Sequence, residues 1–283
     1  MNVERVGVVG LGAMGAGIAQ LALEAGFEVM GREVTEELGR AAADRIGHFL
    51  TRKVEKGTLA QADRDAAMAR LETTTEVGEL GSCHLVIEAI VEELEPKRAL
   101  FAELERVCRS EAVLATNTSA LSVTEIAGAT TSPERVVGMH FFNPAPLMPL
   151  VEIVRAEHTG DAAVETAFGV AVRMGKTPVR CHDTPGFVVN RILIPLLNDC
   201  LRVLDEARVS PEDLDTAMKS GAGWPMGPCA LIDLVGVDVH VYASEALYEK
   251  LREARMAPPP RLVAMKKAGL LGRKSGRGFY TYD

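Results

Sequence analysis

Between residues 135 and 155 the chain reads Arg-Val-Val-Gly-Met-His-Phe-Phe-Asn-Pro-Ala-Pro-Leu-Met-Pro-Leu-Val-Glu-Ile-Val-Arg, and two of these side chains, His140 and Glu152, could do acid–base chemistry together. A carboxylate beside an imidazole orients the ring and favours its charged form, which suits a general base that must take up a proton. The two residues sit in separate apolar runs, 136–142 and 150–154, joined by a segment whose prolines at 144, 146 and 149 exclude a helix. Two strands so connected reverse the chain and can set His140 beside Glu152. A lone His–Glu pair is more often a core histidine near an unrelated surface glutamate. The pair therefore means chemistry only if the rest of the chain supplies a cofactor and a substrate site.

A cofactor site is legible at residues 5–15. An apolar strand, 5–10, runs into Gly10-Leu11-Gly12-Ala13-Met14-Gly15 and then a helical stretch, 16–25. This is Gly-x-Gly-x-x-Gly with the strand before it and the helix after it. Gly10 permits the tight turn, Gly12 lets the backbone approach a diphosphate, and Gly15 lets helix and strand pack closely, with the diphosphate at the helix N-terminus. Ala13 and Met14 lie within the same turn. A second strand, 27–31, leads to Arg32 and Glu33, about 20 residues past the last glycine of the fingerprint. Glu33 can accept hydrogen bonds from the adenosine ribose hydroxyls and would repel a 2′-phosphate, which argues for NAD. NADP stays open, because Arg32 could fold over the adenine or pair with a phosphate.

The elements that must position these residues follow in order. A helix is expected over 35–56, with Leu38, Ala42, Ile46, Phe49 and Leu50 on one face and Arg52, Lys53 and Lys56 at its end. Basic residues there suit the helix macrodipole, or a phosphate-bearing substrate tail held by Lys53 and Lys56. A second helix, 61–69, completes a helical excursion, and 71–74 is a short strand. The continuous apolar run 85–90 suits a parallel strand buried on both faces. Glu92 follows its end and Lys97 lies in the next helix, so both are placed to meet cofactor or substrate. Strand 112–115 ends in Thr116-Asn117-Thr118-Ser119-Ala120-Leu121-Ser122. Four hydroxyls and the Asn117 amide there can bind a carbonyl or an alcohol, or serve as turn and cap groups, Ser122 capping a helix at 123–127. A helix over 162–174 and a strand over 178–181 close this half.

From 184 onward everything reads as helix. A long, broadly apolar helix, 187–207, carries Pro195 as an expected kink and holds Asn190 and Asn198 as amides in need of partners. Helices over 211–219, 231–236 and 237–252 follow, then a break at Pro258-Pro259-Pro260 and a basic glycine-rich tail ending in aromatics. The expected fold is α/β in residues 1–183, a Rossmann-type, mostly parallel doubly wound sheet with a helical excursion that carries the His–Glu pair. Residues 184–283 are expected to form an all-α domain, its long apolar helix buried within it or shared with a second subunit.

Composition narrows the partners. The 283 residues are 47% apolar and 25% charged with a net charge of −8, so neither nucleic acid nor an anionic membrane surface is an expected partner. The five cysteines, at 83, 108, 181, 200 and 229, are odd in number and contain no Cys-x-x-Cys pair, so no disulfide framework and no metal site is expected. Reduced thiols point to a cytoplasmic protein. No apolar run reaches about 18 residues, and no basic-apolar leader precedes the first strand.

Six stretches in this order and spacing resemble the short-chain bacterial 3-hydroxyacyl-CoA dehydrogenases, those acting on 3-hydroxybutyryl-CoA in particular, nearly end to end. They are Gly-Leu-Gly-Ala-Met-Gly-Ala-Gly-Ile-Ala at 10–19, Asn-Thr-Ser-Ala-Leu at 117–121, His-Phe-Phe-Asn-Pro at 140–144, Asp-Thr-Pro-Gly-Phe-Val-Val-Asn-Arg at 183–191, Gly-Trp-Pro-Met-Gly-Pro at 223–228 and Gly-Arg-Gly-Phe-Tyr at 276–280. The resemblance implies that His140 is the base for the substrate hydroxyl and Glu152 its orienting carboxylate. Ser119 and Asn190 would hold the reacting oxygen, Glu92 and Lys97 would lie on the cofactor side, and Asn143 would belong to the catalytic loop. It also implies an acyl-CoA substrate, a role in fatty acid metabolism, substrate binding by the helical domain and a homodimer through that domain. Two departures stand out: Glu33 replaces the family's usual aspartate, and Gly31 stands where a larger apolar residue is common. Alternatives are another 3-hydroxy substrate on the same fold, such as 3-hydroxyadipyl-CoA or a sugar acid like gulonate, and a non-catalytic dinucleotide-binding protein.

Overall fold

The computed structural model describes residues 2–282, and the chain divides after Thr184 into two compact units. In the first, strands β1 (Arg5–Val9), β2 (Glu28–Arg32), β3 (Leu71–Thr74), β4 (Leu85–Glu88), β5 (Val113–Thr116), β6 (Val136–Phe141), β7 (Leu150–Arg155) and β8 (Thr177–His182) form one sheet in the order β3-β2-β1-β4-β5-β6-β7-β8. Every neighbouring pair is parallel except β6 with β7. The first six strands have the order of a doubly wound dinucleotide fold. Helices α1 (Ala13–Glu24), α2 (Glu36–Glu55), α3 (Gln61–Ala69), α4 (Leu94–Val107), α5 (Val123–Ala127) and α6 (Asp161–Arg173) link successive strands. The central strands are buried, which is why Val6, Val8 and Val9 and then Leu85, Val86 and Ile87 read as unbroken apolar runs.

Helix α2 starts where Thr35 accepts a hydrogen bond from the Leu38 N–H (3.2 Å) and packs Ala42, Ile46 and Leu50 into the core. Leu38 and Phe49, assigned by periodicity to the same face, lie at the edges of that stripe and are 48% and 46% exposed. Helix α1 starts at Ala13, three residues earlier than its apolar pattern indicates, because the fingerprint turn itself winds into the first helical turn. A short 3-10 segment, Val77–Ser82, lay outside the sequence reading.

The second unit contains α7 (Val189–Glu206), α8 (Pro211–Ala222), α9 (Pro228–Val235), α10 (Val237–Leu251) and α11 (Pro260–Lys267) around Leu197, Leu201, Leu204, Leu214, Ile232, Val241 and Leu262. Helix α11 was not anticipated. Three prolines read as a break, yet Pro260 occupies the first helical position, where a missing N–H is harmless. Asn198, fully buried in α7, has both ends of its amide satisfied. Its Nδ2 donates to the Met256 carbonyl (3.2 Å) and its Oδ1 accepts from His240 Nε2 (2.9 Å), joining α7, α10 and the 254–256 turn.

Two carboxylates organise the motifs of this unit. Asp215 of α8 accepts the Cys229 and Ala230 N–H groups (2.8 and 3.0 Å) at the start of α9, and also the Tyr280 hydroxyl (2.9 Å). Gly227 gives it room, since a Cβ there would lie 2.2 Å from the carboxyl carbon. Asp233 of α9 accepts the Phe279 and Tyr280 N–H groups and the Tyr282 hydroxyl, each at 3.0 Å.

Candidate active site

The antiparallel pairing of β6 with β7 puts His140 directly opposite Glu152, on the same face of the sheet. Imidazole Nδ1 and Glu152 Oε2 are 2.7 Å apart, with the two residues 3% and 0% exposed. An ionised carboxylate only accepts, so Nδ1 carries the proton it shares and Nε2 is left as the basic nitrogen. In so dry a place the carboxylate's attraction for an imidazolium is screened far less than in water. The Phe142 ring packs on the imidazole, with centroids 4.5 Å apart.

The turn after β5 is fixed to this hairpin and to the end of β4. Asn117 Oδ1 accepts the Phe141 N–H (2.9 Å), so this amide ties β5 to β6 beside His140. Glu92 Oε1 accepts from the Thr118 hydroxyl (2.6 Å) and from the N–H groups of Ser119 (2.7 Å) and Ala120 (3.1 Å). Three of the four hydroxyls thus have structural duties: Thr116 donates to Glu88 (2.7 Å), Thr118 to Glu92, and Ser122 both caps α5 and donates to Asp183 (2.7 Å). Ser119 is exposed, and among the described residues its hydroxyl has no partner, which leaves it for a ligand.

Lys97 is 1% exposed and lies behind this turn. Its ammonium meets Glu88 Oε1 at 2.5 Å and Glu92 Oε2 at 3.3 Å. Burial would raise the Glu92 carboxyl, but Lys97 and the three hydrogen bonds from 118–120 overcome it and hold it below the ordinary carboxylate value. Lys97 is therefore closed off from solvent and acts on the site through Glu92. Glu88, fully buried, was missed by the sequence reading because it looks like the end of an apolar strand. The signal was there: an acid closing a buried run, nine residues before a lysine.

The fingerprint turn lies against the end of β4. Gly10 has φ +82°, and a Cβ on it would meet the Ala89 carbonyl oxygen at 2.8 Å; one on Gly15 would come within 1.8 Å of the Gly10 carbonyl oxygen. A Cβ on Gly12 would meet nothing within 4 Å. Helix α1 has no side-chain cap and no acidic residue in its first turn. An open backbone cradle at an uncapped helix N-terminus fits a diphosphate, so the residues present fit NAD. Ala13 is exposed in this turn and Met14 packs on the core. Glu33 closes the other side, its Oε1 accepting the Leu11 N–H at 2.6 Å. The missing side chain at Gly31 is filled by Leu11, whose Cδ1 would lie 2.8 Å from a Cβ there. Arg32 donates to the Thr75 carbonyl (3.2 Å).

The remaining candidates are more dispersed. Asn143 is exposed just beyond β6, and Lys53 pairs with Glu24 of α1. Lys56 is the exposed C-cap of α2, and Asn190 is the second residue of α7, in the other unit. Among the described residues no cluster of His, Cys, Asp and Glu could hold a metal ion, and no helix is long and apolar enough to cross a membrane.

Comparison with known proteins gives the family. Residues 5–184 match the model of the 3-hydroxyacyl-CoA dehydrogenase NAD binding domain, and residues 186–282 match that of the 3-hydroxyacyl-CoA dehydrogenase C-terminal domain. A 3-hydroxybutyryl-CoA dehydrogenase of Mycobacterium tuberculosis is 45% identical over 99% of both chains. A 3-hydroxyadipyl-CoA dehydrogenase of Escherichia coli is 42% identical over the whole of this chain and 60% of its own length. The crystal structure of M. tuberculosis FadB2 superposes with a TM-score of 0.95 at 44% identity, covering all of both chains. With both domains matched in order and relatives this similar along its full length, the chain belongs to the 3-hydroxyacyl-CoA dehydrogenase family.

Proposed function

We propose that this NAD-dependent dehydrogenase interconverts short-chain 3-hydroxyacyl-CoA and 3-ketoacyl-CoA, with 3-hydroxybutyryl-CoA as the preferred substrate and His140 as the acid–base group. The observation that carries the reading is the buried His140–Glu152 pair, in register on the sheet that also holds the fingerprint. In oxidation, His140 Nε2 takes the proton from the C3 hydroxyl while C3 gives up a hydride; in reduction, the same nitrogen returns the proton to the C3 oxygen. Glu152 holds the ring through Nδ1 and balances its charge in the protonated state. Ser119, its backbone held by Glu92, donates to the reacting oxygen, where a fixed donor meets charge as it develops. Asn190 is the second donor by family resemblance. Bound NAD supplies the hydride acceptor.

Glu33 favours NAD over NADP, its carboxylate being held at the fingerprint turn by the Leu11 N–H. Lys53 and Lys56 are candidates for the CoA phosphates. Exposed Ile192, Val239 and Tyr242 on α7 and α10 support a homodimer through the helical unit. Five cysteines with no disulfide between them among the described residues support a cytoplasmic setting.

The test is NADH-linked reduction of acetoacetyl-CoA compared with longer and dicarboxylic 3-ketoacyl thioesters. His140→Gln should retain NADH binding and lower kcat by about 10²- to 10⁴-fold. Near-normal turnover in that variant would overturn the assignment, and a preference for 3-ketoadipyl-CoA would move the substrate to the dicarboxylic class named for the E. coli relative.

A further inference from the structure

We infer that Lys176 is a positioning residue for hydride transfer: it clamps the loop between β6 and β7 against the cofactor-binding helix α1, and so sets His140 relative to the bound nicotinamide. The inference rests on the function proposed above.

The loop, 142–149, is poor in donors of its own. Prolines at 144, 146 and 149 lack N–H groups, and its internal hydrogen bonds are those of Leu147 and Met148 to the Pro144 carbonyl, both 3.0 Å. Three of its carbonyls converge instead on one ammonium. Lys176 Nζ donates to Ala145 O at 2.6 Å, Met148 O at 2.9 Å and Pro146 O at 3.4 Å. The residue is 9% exposed, and among the described residues it has no carboxylate within ion-pair distance. Burial pushes its pKa below the usual lysine value, with Glu24 opposing the fall and Lys53 adding to it. A buried ammonium with no carboxylate at ion-pair distance is costly, and a solvated lysine would serve at an ordinary surface turn.

The loop also touches α1. A Cβ added to Gly17 would meet Pro146 Cδ at 2.9 Å and Ala145 Cβ at 3.2 Å, so the loop lies directly on the helix whose N-terminus fits the diphosphate. At the loop's start, Phe142 packs on the His140 ring. Lys176 and Gly17 thus both bear on the segment that leads from the cofactor helix to the imidazole. A shift of about 1 Å between base and cofactor can cost 10²-fold in rate while leaving both sites able to bind.

The test uses the full chain and three variants, Lys176→Met, Lys176→Arg and Gly17→Ala. The measurements are NADH affinity by fluorescence, kcat and KM with acetoacetyl-CoA, the primary isotope effect with NADH deuterated at the transferred position, and hydrogen exchange of residues 142–149. Lys176→Met should lower kcat by about 10- to 100-fold and raise the isotope effect on kcat. NADH affinity and thioester KM should stay within about threefold. Lys176→Arg should recover most of the rate. Gly17→Ala, whose added Cβ pushes the same loop from α1, should reproduce the kcat loss with Lys176 intact. Unchanged kcat and isotope effect in Lys176→Met, with any loss confined to Tm, would overturn the inference. If that variant does not fold, Gly17→Ala decides by the same criteria. A wild-type chain that reduces no 3-ketoacyl thioester defeats the substrate reading alone. Loop exchange is then decisive for the clamp: faster exchange in Lys176→Met and Gly17→Ala supports it, and unchanged exchange refutes it.

Discussion

Replacing Lys97 by methionine tests whether the Glu88–Lys97–Glu92 cluster is the frame behind the Ser119 turn or a set of ligand contacts. The substitution keeps the length and apolar stem and removes only the ammonium. Glu88, fully buried, would keep hydrogen bonds from the Ile90 N–H (2.7 Å) and the Thr116 hydroxyl (2.7 Å) but lose the ammonium of Lys97, and Glu92 would face it across the gap. Breaking a buried pair from one side costs about 3–5 kcal/mol, because the abandoned charge stays out of water. For a unit of this size each kcal/mol is worth about 2–4 °C, so Tm should fall by roughly 6–20 °C. Adding Glu88→Gln removes the orphaned charge while keeping an oxygen for Thr116, and should restore more than half of the loss. Calorimetry of the wild type, both single variants and the double variant at pH 7 gives the coupling energy directly. NADH affinity measured on the same samples should change little. A Lys97→Met protein with Tm within about 2 °C of wild type and weakened NADH binding would refute the burial argument and return Lys97 to the cofactor's direct partners.

Three further outcomes follow from the same geometry. Glu152→Gln keeps an oxygen near His140 Nδ1 but removes the charge. It should lower kcat by about 10- to 100-fold, consistent with a charge-assisted hydrogen bond of roughly 1.5–3 kcal/mol, and displace the pH–rate profile; an unchanged profile would show that Glu152 does not act on His140. Glu33→Ser should raise activity with NADPH relative to NADH, and an unaltered ratio in steady-state assays would remove Glu33 as the discriminator. Burial holds His240 down to about 4, below its usual 6.5, so the unfolded chain takes up this proton first as pH falls. Stability is therefore intact above pH 6.5 and declines between there and pH 4, by up to about 3 kcal/mol. His240→Gln should flatten that part of the urea-midpoint curve, and parallel curves for the two proteins would contradict it.

Periodicity and punctuation carried most of the architecture. The buried strands announced themselves as apolar runs, and the order of glycines around residues 10–15 marked the nucleotide turn. Less legible was which polar side chains face a ligand and which hold the frame. Asn117, Thr118, Glu92 and Lys97 all read as site residues, and each makes hydrogen bonds or ion pairs to neighbouring parts of the protein, leaving Ser119 as the open hydroxyl. Chemistry at a strand end looks the same in sequence whether it serves a substrate or a turn. Lys176 was invisible for a different reason: a basic residue between a helix and a strand normally reads as solvated, and its three carbonyl partners lie 28–31 residues upstream. Helix α11 was hidden by the prolines that start it.

The carboxylate latches of the helical unit bear on how it completes folding during synthesis. Asp233 is 1% exposed, and its side-chain partners are the Phe279 and Tyr280 N–H groups and the Tyr282 hydroxyl; Tyr280 also serves Asp215. Helices α8 and α9 can form earlier, but until residues 279–282 leave the ribosome Asp233 must stay hydrated rather than packed. The nucleotide-binding unit, by contrast, has all its strands and helices once residue 184 has emerged. Synthesis thus separates the two events in time. A stalled or truncated chain would present a finished cofactor domain joined to an unsealed helical one, a species for quality-control proteases to recognise.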